Sequence, residues 1–358
     1  MSYSLTKIDN NNYRYNRSSS LEYDKLCKKI KSKYNDLGNS IITSSGMSSI
    51  NLAFKSIFID NNWNKINIIY SWELYFDTTS LIEDYYKKIY PNLCIYEVGI
   101  TSNIESDNEW LIDLFNSEKI KNQINILFIE SCSNPNGYCL DMNIIKDLRK
   151  LSKKLYVIVD NTWLTSAIFN PFEYDIDIVV TSLSKHYSGG SHIGGALLIK
   201  NKELFDIAKD IYIKSGEHVS TFACSLILNN IDKMADRIKK TSELAYKVAK
   251  YLSTLTNIKE VRYPLLEKHP SYKLKDMYFK HGGPDIFLFI IIEKKETLHK
   301  KLKNMNIINL KTSYGGQDTR IDDDLTEDND ETWCRISIGY EDNYDIIIEG
   351  LKEILLFS

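Results

Sequence analysis

Lys185 is the residue of this chain that is best placed to carry out chemistry. It lies just past a short apolar run, residues 178–180, and a second apolar run, residues 157–159, ends directly at Asp160. Short apolar runs that end in polar side chains are typical of buried parallel strands. Open α/β sheets bind their ligands in the crevice at the carboxyl ends of such strands. We therefore expect Lys185 and Asp160 to share one ligand site.

These two residue types suit a cofactor that is both an aldehyde and a pyridine. A lysine amine attacks an aldehyde once it is deprotonated, and burial lowers its pKa towards that state. An ionised aspartate beside a pyridine nitrogen keeps that nitrogen protonated, which lets the ring accept electrons. A lone lysine is usually only a surface charge, so a chemical role for Lys185 requires suitable residues around it.

Phosphate-binding and aromatic groups accompany the lysine and the aspartate. Hydroxyls and the N–H groups at the start of a helix hold a phosphate. The candidates for this role are Ser182, Ser184 and the turn at Gly46 and Met47. Tyr75 follows another predicted strand and offers a ring face to a planar ligand. Together these groups are what pyridoxal 5′-phosphate requires.

The elements that must position these groups alternate between strands and helices. Buried strands are predicted at 66–70 and 124–130, and helices at 47–58, 78–90 and 141–153. This alternation indicates a mostly parallel sheet with helices on both faces, an α/β fold. The predicted boundaries are 1–40 for an N-terminal arm and helix, 41–225 for the large domain, and 226–358 for a bridging helix and a small α+β domain.

Three finer expectations concern the second half of the chain. Residues 215–225 are polar and are predicted to be an irregular break. Residues 226–254 have apolar side chains at helical spacing and are predicted to be one long helix that bridges the domains. The acidic stretch 321–333 is predicted to be a solvated loop.

Composition excludes several classes of function. The 358 residues carry a formal net charge of −3 and no block of lysine or arginine, which argues against nucleic acid as a partner. No apolar run approaches the ~20 residues needed to cross a bilayer, and the first residues lack a signal-type apolar core, so we expect a cytoplasmic protein without membrane contact. The six cysteines form no CxxC pair and the six histidines no HxH or HxxxH pair, so we expect free thiols and no metal.

The stretches around these residues resemble one family of pyridoxal-phosphate enzymes. VIVDNTW followed by DIVVTSLSKHYSGG is similar to the cofactor-lysine signature of the Cys/Met-metabolism family, the cystathionine γ-synthase, γ-lyase and β-lyase group. Further similar segments follow in the family's order: SSGMSSI (44–50), ELYFDTT (73–79), IESCSNPNG (129–137), HGGPDIF (281–287), TSYGGQDT (312–319) and WCRISIGYED (333–342). The resemblance covers nearly the whole chain and implies the fold-type I architecture.

The resemblance also implies roles for residues in the cofactor site. Lys185 would hold the cofactor as a Schiff base and later move the Cα proton. Asp160 would pair with the pyridine nitrogen and Tyr75 would stack on the ring. The phosphate would be bound by Gly46, Met47, Ser182 and Ser184. Asn134 would bond the phenolic oxygen of the ring.

Substrate and subunit contacts are implied in the same way. Arg335 would clamp the substrate carboxylate, with Ser313, Tyr314 and Asn134 beside it. Tyr15 and Arg17 match a Tyr-x-Arg motif that reaches the phosphate of a neighbouring subunit in the family. Tyr15 and Tyr75 are therefore further candidates for catalytic work, and the protein is expected to be a homo-oligomer with a shared active site.

Departures from the family pattern bear on assembly and specificity. Phe76 and Asp77 stand where the family has two glycines, so that wall of the site is expected to differ. The family's longer N-terminal segment is mostly absent, which favours a dimer over a tetramer. Tyr314 stands where many members have leucine and where β-lyases often have tryptophan. Because tyrosine is aromatic like tryptophan, this residue favours β-elimination.

The resulting hypothesis is β- or γ-elimination or replacement on a sulfur-containing or O-activated amino acid, with a carbon–sulfur lyase favoured. A γ-replacement transferase and a specialised biosynthetic enzyme acting on an unusual amino acid are the alternatives within the fold. A protein that binds the cofactor without catalysis is the alternative from another class, and retention of Lys185, Asp160, Tyr75 and Arg335 argues against it. The β or γ position and the exact substrate are left open.

Overall fold

The computed structural model describes residues 19–71, 73–99, 103–305, 307–325 and 330–355. The strands are β1 (Asn39–Thr43), β2 (Ile66–Ser71), β3 (Leu93–Val98), β4 (Ile124–Glu130), β5 (Lys154–Asp160), β6 (Ile178–Ser182), β7 (Gly195–Ile199), β8 (Ile258–Arg262), β9 (Ile286–Ile291), β10 (Asn309–Leu310), β11 (Arg320–Asp322) and β12 (Thr332–Ser337). The α-helices are α1 (Leu21–Lys33), α2 (Gly46–Asp60), α3 (Phe76–Ser80), α4 (Lys87–Ile89), α5 (Ile104–Asn116), α6 (Ile145–Leu151), α7 (Thr165–Ile168), α8 (Lys202–Ser215), α9 (Thr221–Ile231), α10 (Met234–Leu252), α11 (Lys275–Tyr278), α12 (Lys295–Lys303) and α13 (Tyr344–Leu355). A π-helical segment, Leu81–Tyr86, joins α3 to α4.

A seven-stranded sheet forms the centre of the larger part of the molecule. Its strand order is β1-β7-β6-β5-β4-β2-β3. β7 runs antiparallel to both of its neighbours, and every other neighbouring pair is parallel. This topology confirms the mostly parallel α/β sheet predicted from the alternating pattern.

The central strands bring the polar strand ends to one edge. β4 is apolar along nearly its whole length and buried almost throughout, as expected for a parallel strand covered by helices on both faces. The register places Glu130 at the end of β4 opposite Asp160 at the end of β5, and Asp160 opposite Val180 on β6. The residues that follow β4, β5 and β6 therefore meet at the carboxyl edge of the sheet.

Helix α2 is fixed against this sheet by an apolar face. Phe54 is fully buried and stacks on Phe128 of β4, with 5.6 Å between ring centroids. Removal of one buried aromatic side chain costs about 3–5 kcal/mol, so this face anchors the helix. The N-terminus of α2 at Gly46 is thereby held beside the end of β6.

A five-stranded sheet forms the smaller part, in the order β10-β11-β12-β9-β8. β10 and β11 are parallel, and the remaining pairs are antiparallel. The apolar cluster on this sheet includes side chains from the second half of α10, among them Leu244, Val248 and Leu252. Met234 and Ile238, in the first half of the same helix, belong to the cluster of the large sheet. α10 thus packs into both cores, and the domain boundaries after residues 40 and 225 stay predictions.

Three local predictions are wrong. The stretch 226–254 is two helices, because α9 ends at Ile231 and α10 begins at Met234. The stretch 215–225 already contains the start of α9, which Ser220 caps by accepting from the N–H of Ala223. The acidic stretch does not begin as a solvated loop, because Asp322 and Asp323 are buried at the end of β11.

Within the described ranges, no helix combines the length and the apolar character that crossing a bilayer requires. All six cysteines are free thiols, four of them buried. Among the residues that the structure describes, no group of three or more histidine, cysteine or acidic side chains could hold a metal ion.

Candidate active site

The amine of Lys185 lies between the two sheets. Its Nζ donates a hydrogen bond to Oγ of Ser313, at 3.0 Å, and lies 4.9 Å from the ring centroid of Tyr314. Tyr314 is buried, and its ring meets that of Trp163 edge-on at 6.3 Å. Ser313 and Tyr314, which the sequence predicted beside the substrate carboxylate, are therefore adjacent to Lys185.

The surroundings of Lys185 favour the neutral amine. Burial lowers its pKa from the ordinary value, and the positive charges of Arg335 and Arg320 lower it further. A neutral amine can attack an aldehyde or accept a proton, whereas an ammonium group can do neither. The surroundings of Lys185 therefore favour the form of its amine that can attack an aldehyde or accept a proton.

A chain of hydrogen bonds joins β6 to Asp160. The N–H of Ser182 donates to Oγ1 of Thr162 at 2.9 Å, and the Thr162 hydroxyl donates to Oδ1 of Asp160 at 2.5 Å. The N–H of Thr162 donates to the same carboxylate oxygen at 2.9 Å. Two donors from one residue thus fix the orientation of the Asp160 carboxylate at the end of β5.

Asp160 and Glu130 form a pair of adjacent carboxylates without a cation. Burial raises the pKa of Asp160 to about 6, and burial and the charge of Asp160 raise the pKa of Glu130 well above its usual range. Among the described residues, neither carboxylate forms an ion pair. A cationic ring nitrogen beside Asp160 would supply the missing positive charge, so this pair fits a protonated pyridine.

The start of α2 forms a cradle for an anion. Ser45 caps the helix by accepting from the N–H of Ser48 at 3.1 Å, which leaves the N–H groups of Gly46 and Met47 without intrahelical partners. A Cβ atom on Gly46 would lie 3.1 Å from Cβ of Ser182, so glycine allows β6 and α2 to approach. The cradle therefore fits the phosphate that the sequence assigned to Gly46, Met47 and Ser182.

Ser184 has a different environment from Ser182. Its Oγ donates to the carbonyl of Gly194 at 3.2 Å and accepts from the N–H of Gly194 at 3.1 Å. These bonds close the loop that follows Lys185. The contact of Ser184 with a phosphate stays a prediction.

Tyr75 lies at the mouth of the site and is held through its backbone. Its N–H donates to Oε1 of Glu130 at 2.6 Å, while 46% of the residue is exposed. Burial and a hydrogen bond with Asp77 raise the pKa of Tyr75 to about 12. Phe76 is 77% exposed, so the bulky pair that replaces two glycines places Phe76 at the surface and Asp77 against the Tyr75 hydroxyl.

Arg335 lies on β12 and is oriented by partners on three segments. One guanidinium N–H donates to Oδ1 of Asn134 at 2.8 Å, and another to Oδ2 of Asp322 at 2.9 Å. The second of these nitrogens also donates to the carbonyl of Thr312. Asn134 keeps its amide donor group for a ligand, and Arg335 is positioned as a carboxylate-binding side chain.

Sequence reasoning missed two residues of this site, Thr162 and Asp322, and the contact that Glu130 makes. Thr162 could have been found from the D-x-T pattern, because a hydroxyl two residues after an aspartate can donate to its carboxylate in a turn. Asp322 was hidden in an acidic run, and only the pairing of β11 with β12 places it opposite Arg335. Glu130 was visible as a polar strand end, but its contact with Tyr75 depends on the fold. Tyr15 and Arg17 lie outside the described residues, so their roles stay predictions.

Comparison with known proteins gives one match along nearly the whole chain. A family model described as Cys/Met metabolism PLP-dependent enzyme matches residues 2–354. An L-methionine gamma-lyase from Fusobacterium nucleatum subsp. polymorphum is 28% identical over 267 residues, which are 68% of this chain and 67% of that protein. An L-alanine/L-glutamate racemase from Wolbachia pipientis wMel is 26% identical over 243 residues, 64% of this chain and 60% of that protein. The match therefore spans 60–67% of the length of these two relatives.

A solved structure extends the likeness to the fold. It is a putative O-acetylhomoserine (thiol)-lyase from Campylobacter jejuni subsp. jejuni NCTC 11168, determined with N′-pyridoxyl-lysine-5′-monophosphate. The two proteins are 25% identical and superpose with a TM-score of 0.80 over 95% of this chain and 87% of the other. The fold-type I architecture predicted from the sequence is confirmed.

Proposed function

The chain belongs to the family of Cys/Met metabolism PLP-dependent enzymes, and we propose that it catalyses elimination or replacement at Cβ or Cγ of a sulfur-containing or O-activated amino acid. A carbon–sulfur lyase is the favoured form of this activity. The observation that carries the proposal is the amine of Lys185, which is bonded to Ser313 and lies in a field that lowers its pKa.

Bound pyridoxal phosphate would supply an electron-withdrawing ring that stabilises negative charge at Cα of the substrate. Asp160 would hold the ring nitrogen, Asn134 the ring oxygen, and the start of α2 with Ser182 the phosphate. These assignments rest on the paired carboxylates without a cation and on the cradle at Gly46.

The chain's own residues would perform the remaining steps. Arg335, fixed by Asp322, would bind the α-carboxylate and orient the Cα–H bond towards Lys185. The amine of Lys185 would remove this proton, with Ser313 as the acceptor that orients the amine. A leaving group, a thiolate in the favoured case, would then depart with its electron pair, from Cβ directly or from Cγ once a Cβ proton has also been removed. A lyase would release that group and an unsaturated amine, which water would hydrolyse to a keto acid and ammonia. A transferase would instead add a new nucleophile to the unsaturated carbon.

The alternative of γ-replacement is supported by the likeness to the Campylobacter jejuni protein, which is described as a putative O-acetylhomoserine (thiol)-lyase. The aromatic ring of Tyr314 beside Lys185 instead supports elimination at Cβ. A homo-oligomer and a cytoplasmic location are further parts of the proposal.

One experiment tests this function. The holoenzyme is incubated with cystathionine, cysteine, methionine and O-acylated homoserine, each with and without an added thiol, and products are identified by mass. We expect a keto acid from at least one sulfur amino acid without added thiol. A thioether formed only with added thiol would instead identify a transferase, and no product from any of them would refute the proposal.

A further inference from the structure

Arg320 is a second arginine on the same face of the small sheet as Arg335. On β11, Arg320 and Asp322 are two residues apart and so share a face. The register pairs Asp322 with Arg335 and Arg320 with Ser337, so the two arginines are diagonal neighbours on adjacent antiparallel strands. Such neighbours lie ~7–8 Å apart, which places two cationic side chains beside one another.

The Arg320 guanidinium packs next to the segment that carries Lys185. A Cβ atom on Gly316 would lie 2.5 Å from a guanidinium nitrogen of Arg320 and 3.0 Å from its Cζ. A Cβ atom on Gly315 would lie 2.9 Å from the carbonyl carbon of Lys185. Only two glycines therefore separate Arg320 from the backbone of the lysine, and its charge acts on the Lys185 amine.

Among the residues that the structure describes, the side chain of Arg320 has no hydrogen-bond or ion-pair partner, whereas that of Arg335 has several. The nearby carboxylate of Asp322 is bonded to Arg335. In the described part of the chain, Arg320 forms no ion pair, and its Nε is buried without a hydrogen-bond partner. A half-buried cation without a counter-ion is costly, and an anionic ligand would offset that cost.

The cofactor phosphate does not supply this anion in the proposed arrangement. Its cradle is at Gly46 and Ser182, at the edge of the large sheet, whereas Arg320 lies on the small sheet beside the proposed carboxylate site of Arg335. On this side of the site Asp322 already pairs with Arg335, so Arg320 is the guanidinium group that is left open to an anion of the ligand.

Building on the proposed function, we infer that Arg320 binds a second carboxylate, carried at the end of the substrate's side chain or acyl group, while Arg335 binds the α-carboxylate. Arg320 is thus a specificity-determining residue. The substrate class is an amino acid with a distal anionic group, such as an O-succinyl rather than an O-acetyl ester of homoserine.

Binding of simple carboxylates tests this inference without turnover. Straight-chain dicarboxylates of four to six carbons and the matching monocarboxylates are titrated into the holoenzyme by calorimetry. A charge-assisted pair contributes about 1.5–3 kcal/mol, so we expect at least one dicarboxylate to bind roughly tenfold or more tightly than its monocarboxylate. R320Q removes the charge at similar length and should abolish that preference, whereas R320K should keep part of it.

Turnover gives the second readout and separates the two proposals. O-succinyl-L-homoserine and O-acetyl-L-homoserine differ in the distal carboxylate. R320Q should raise KM for the succinyl ester roughly tenfold or more relative to its effect on the acetyl ester. Loss of the Arg320 charge near the Lys185 amine acts on both esters alike, so the ratio of the two effects is the readout. K303Q, which removes a charge from an exposed residue of α12, is the control and should alter neither.

Four results are decisive. A dicarboxylate preference that survives in R320Q, or equal losses for both esters, would overturn the inference and leave the proposed function standing. If R320Q loses the dicarboxylate preference but the wild-type enzyme turns over neither ester, the anion site at Arg320 is supported and these two esters are excluded as substrates. Wild-type protein with no dicarboxylate preference would also overturn the inference.

Discussion

Lys185 and Ser313 are joined by a hydrogen bond of 3.0 Å between Nζ and Oγ, although 128 positions separate them in the chain. The lysine follows β6 of the large sheet, and the serine precedes β11 of the small sheet. The orientation of the proposed catalytic amine therefore depends on how the two sheets are packed together.

Replacement of Ser313 by alanine should slow the reaction without removing the cofactor. The amine loses its only hydroxyl acceptor in the described part of the chain. A hydrogen bond of this kind contributes about 0.5–1.5 kcal/mol, so kcat should fall roughly twofold to tenfold. Steady-state kinetics and the absorbance of the lysine-bound cofactor are measured together. Ser253→Ala at the exposed end of α10 is the control, and an unchanged kcat in Ser313→Ala would refute this role.

Asp160 should make the cofactor-free protein less stable at neutral pH than in mild acid. Its folded-state pKa, about 6, lies above the ordinary value of 3.8, so the folded state holds the proton more tightly than the unfolded state. The stability from this group is complete below pH ~4 and is lost as the pH rises through 6, by roughly 2–3 kcal/mol in the free energy of unfolding.

Urea unfolding of cofactor-free wild type and Asp160→Asn at pH 5 and pH 8 measures this effect. The amide cannot ionise, so the variant should lose much less stability between the two pH values than wild type does. Glu130 titrates together with Asp160, so a residual dependence on pH is expected. Equal losses in both proteins would contradict the account of this carboxylate pair.

Asp322→Asn should weaken substrate binding more than it slows turnover. The amide keeps the shape of the side chain but loses the negative charge of the ion pair, in which Oδ2 of Asp322 lies 2.9 Å from a guanidinium nitrogen of Arg335. We expect KM for amino-acid substrates to rise roughly fivefold to fiftyfold, with a smaller change in kcat. Asp318→Asn, an exposed neighbour in the same segment, should match wild type. A lower kcat at unchanged KM would assign Asp322 a different role.

The parts of the site that follow local rules could be predicted from the sequence. Asp160 and the segment that contains Lys185 follow neighbouring parallel strands whose carboxyl ends share one edge, and the apolar runs of β5 and β6 already show those ends. Gly46 was visible as a small residue at a helix start. The fold class followed from the alternation of strands and helices.

The parts that depend on long-range pairing could not be predicted. Asp322 belongs to an acidic segment whose composition is that of a loop, and Arg320 directly precedes that segment. Only the pairing of β11 with β12 places both residues on the same face as Arg335. The break between α9 and α10 was hidden because their apolar spacing continues across it. The local spacing of apolar residues does not show where one helix ends and the next begins when the second helix packs against another core.

The most direct test of the central claim is reduction of the holoenzyme with borohydride, followed by mass mapping of its peptides. The account predicts that pyridoxyl phosphate is attached to the peptide containing Lys185 in wild type. In Lys185→Ala that adduct should be absent and turnover should fall by at least ~10³-fold, because the amine that moves the Cα proton is gone. A Lys185→Ala protein that still forms the adduct at another lysine and turns over substrate at a comparable rate would contradict the account.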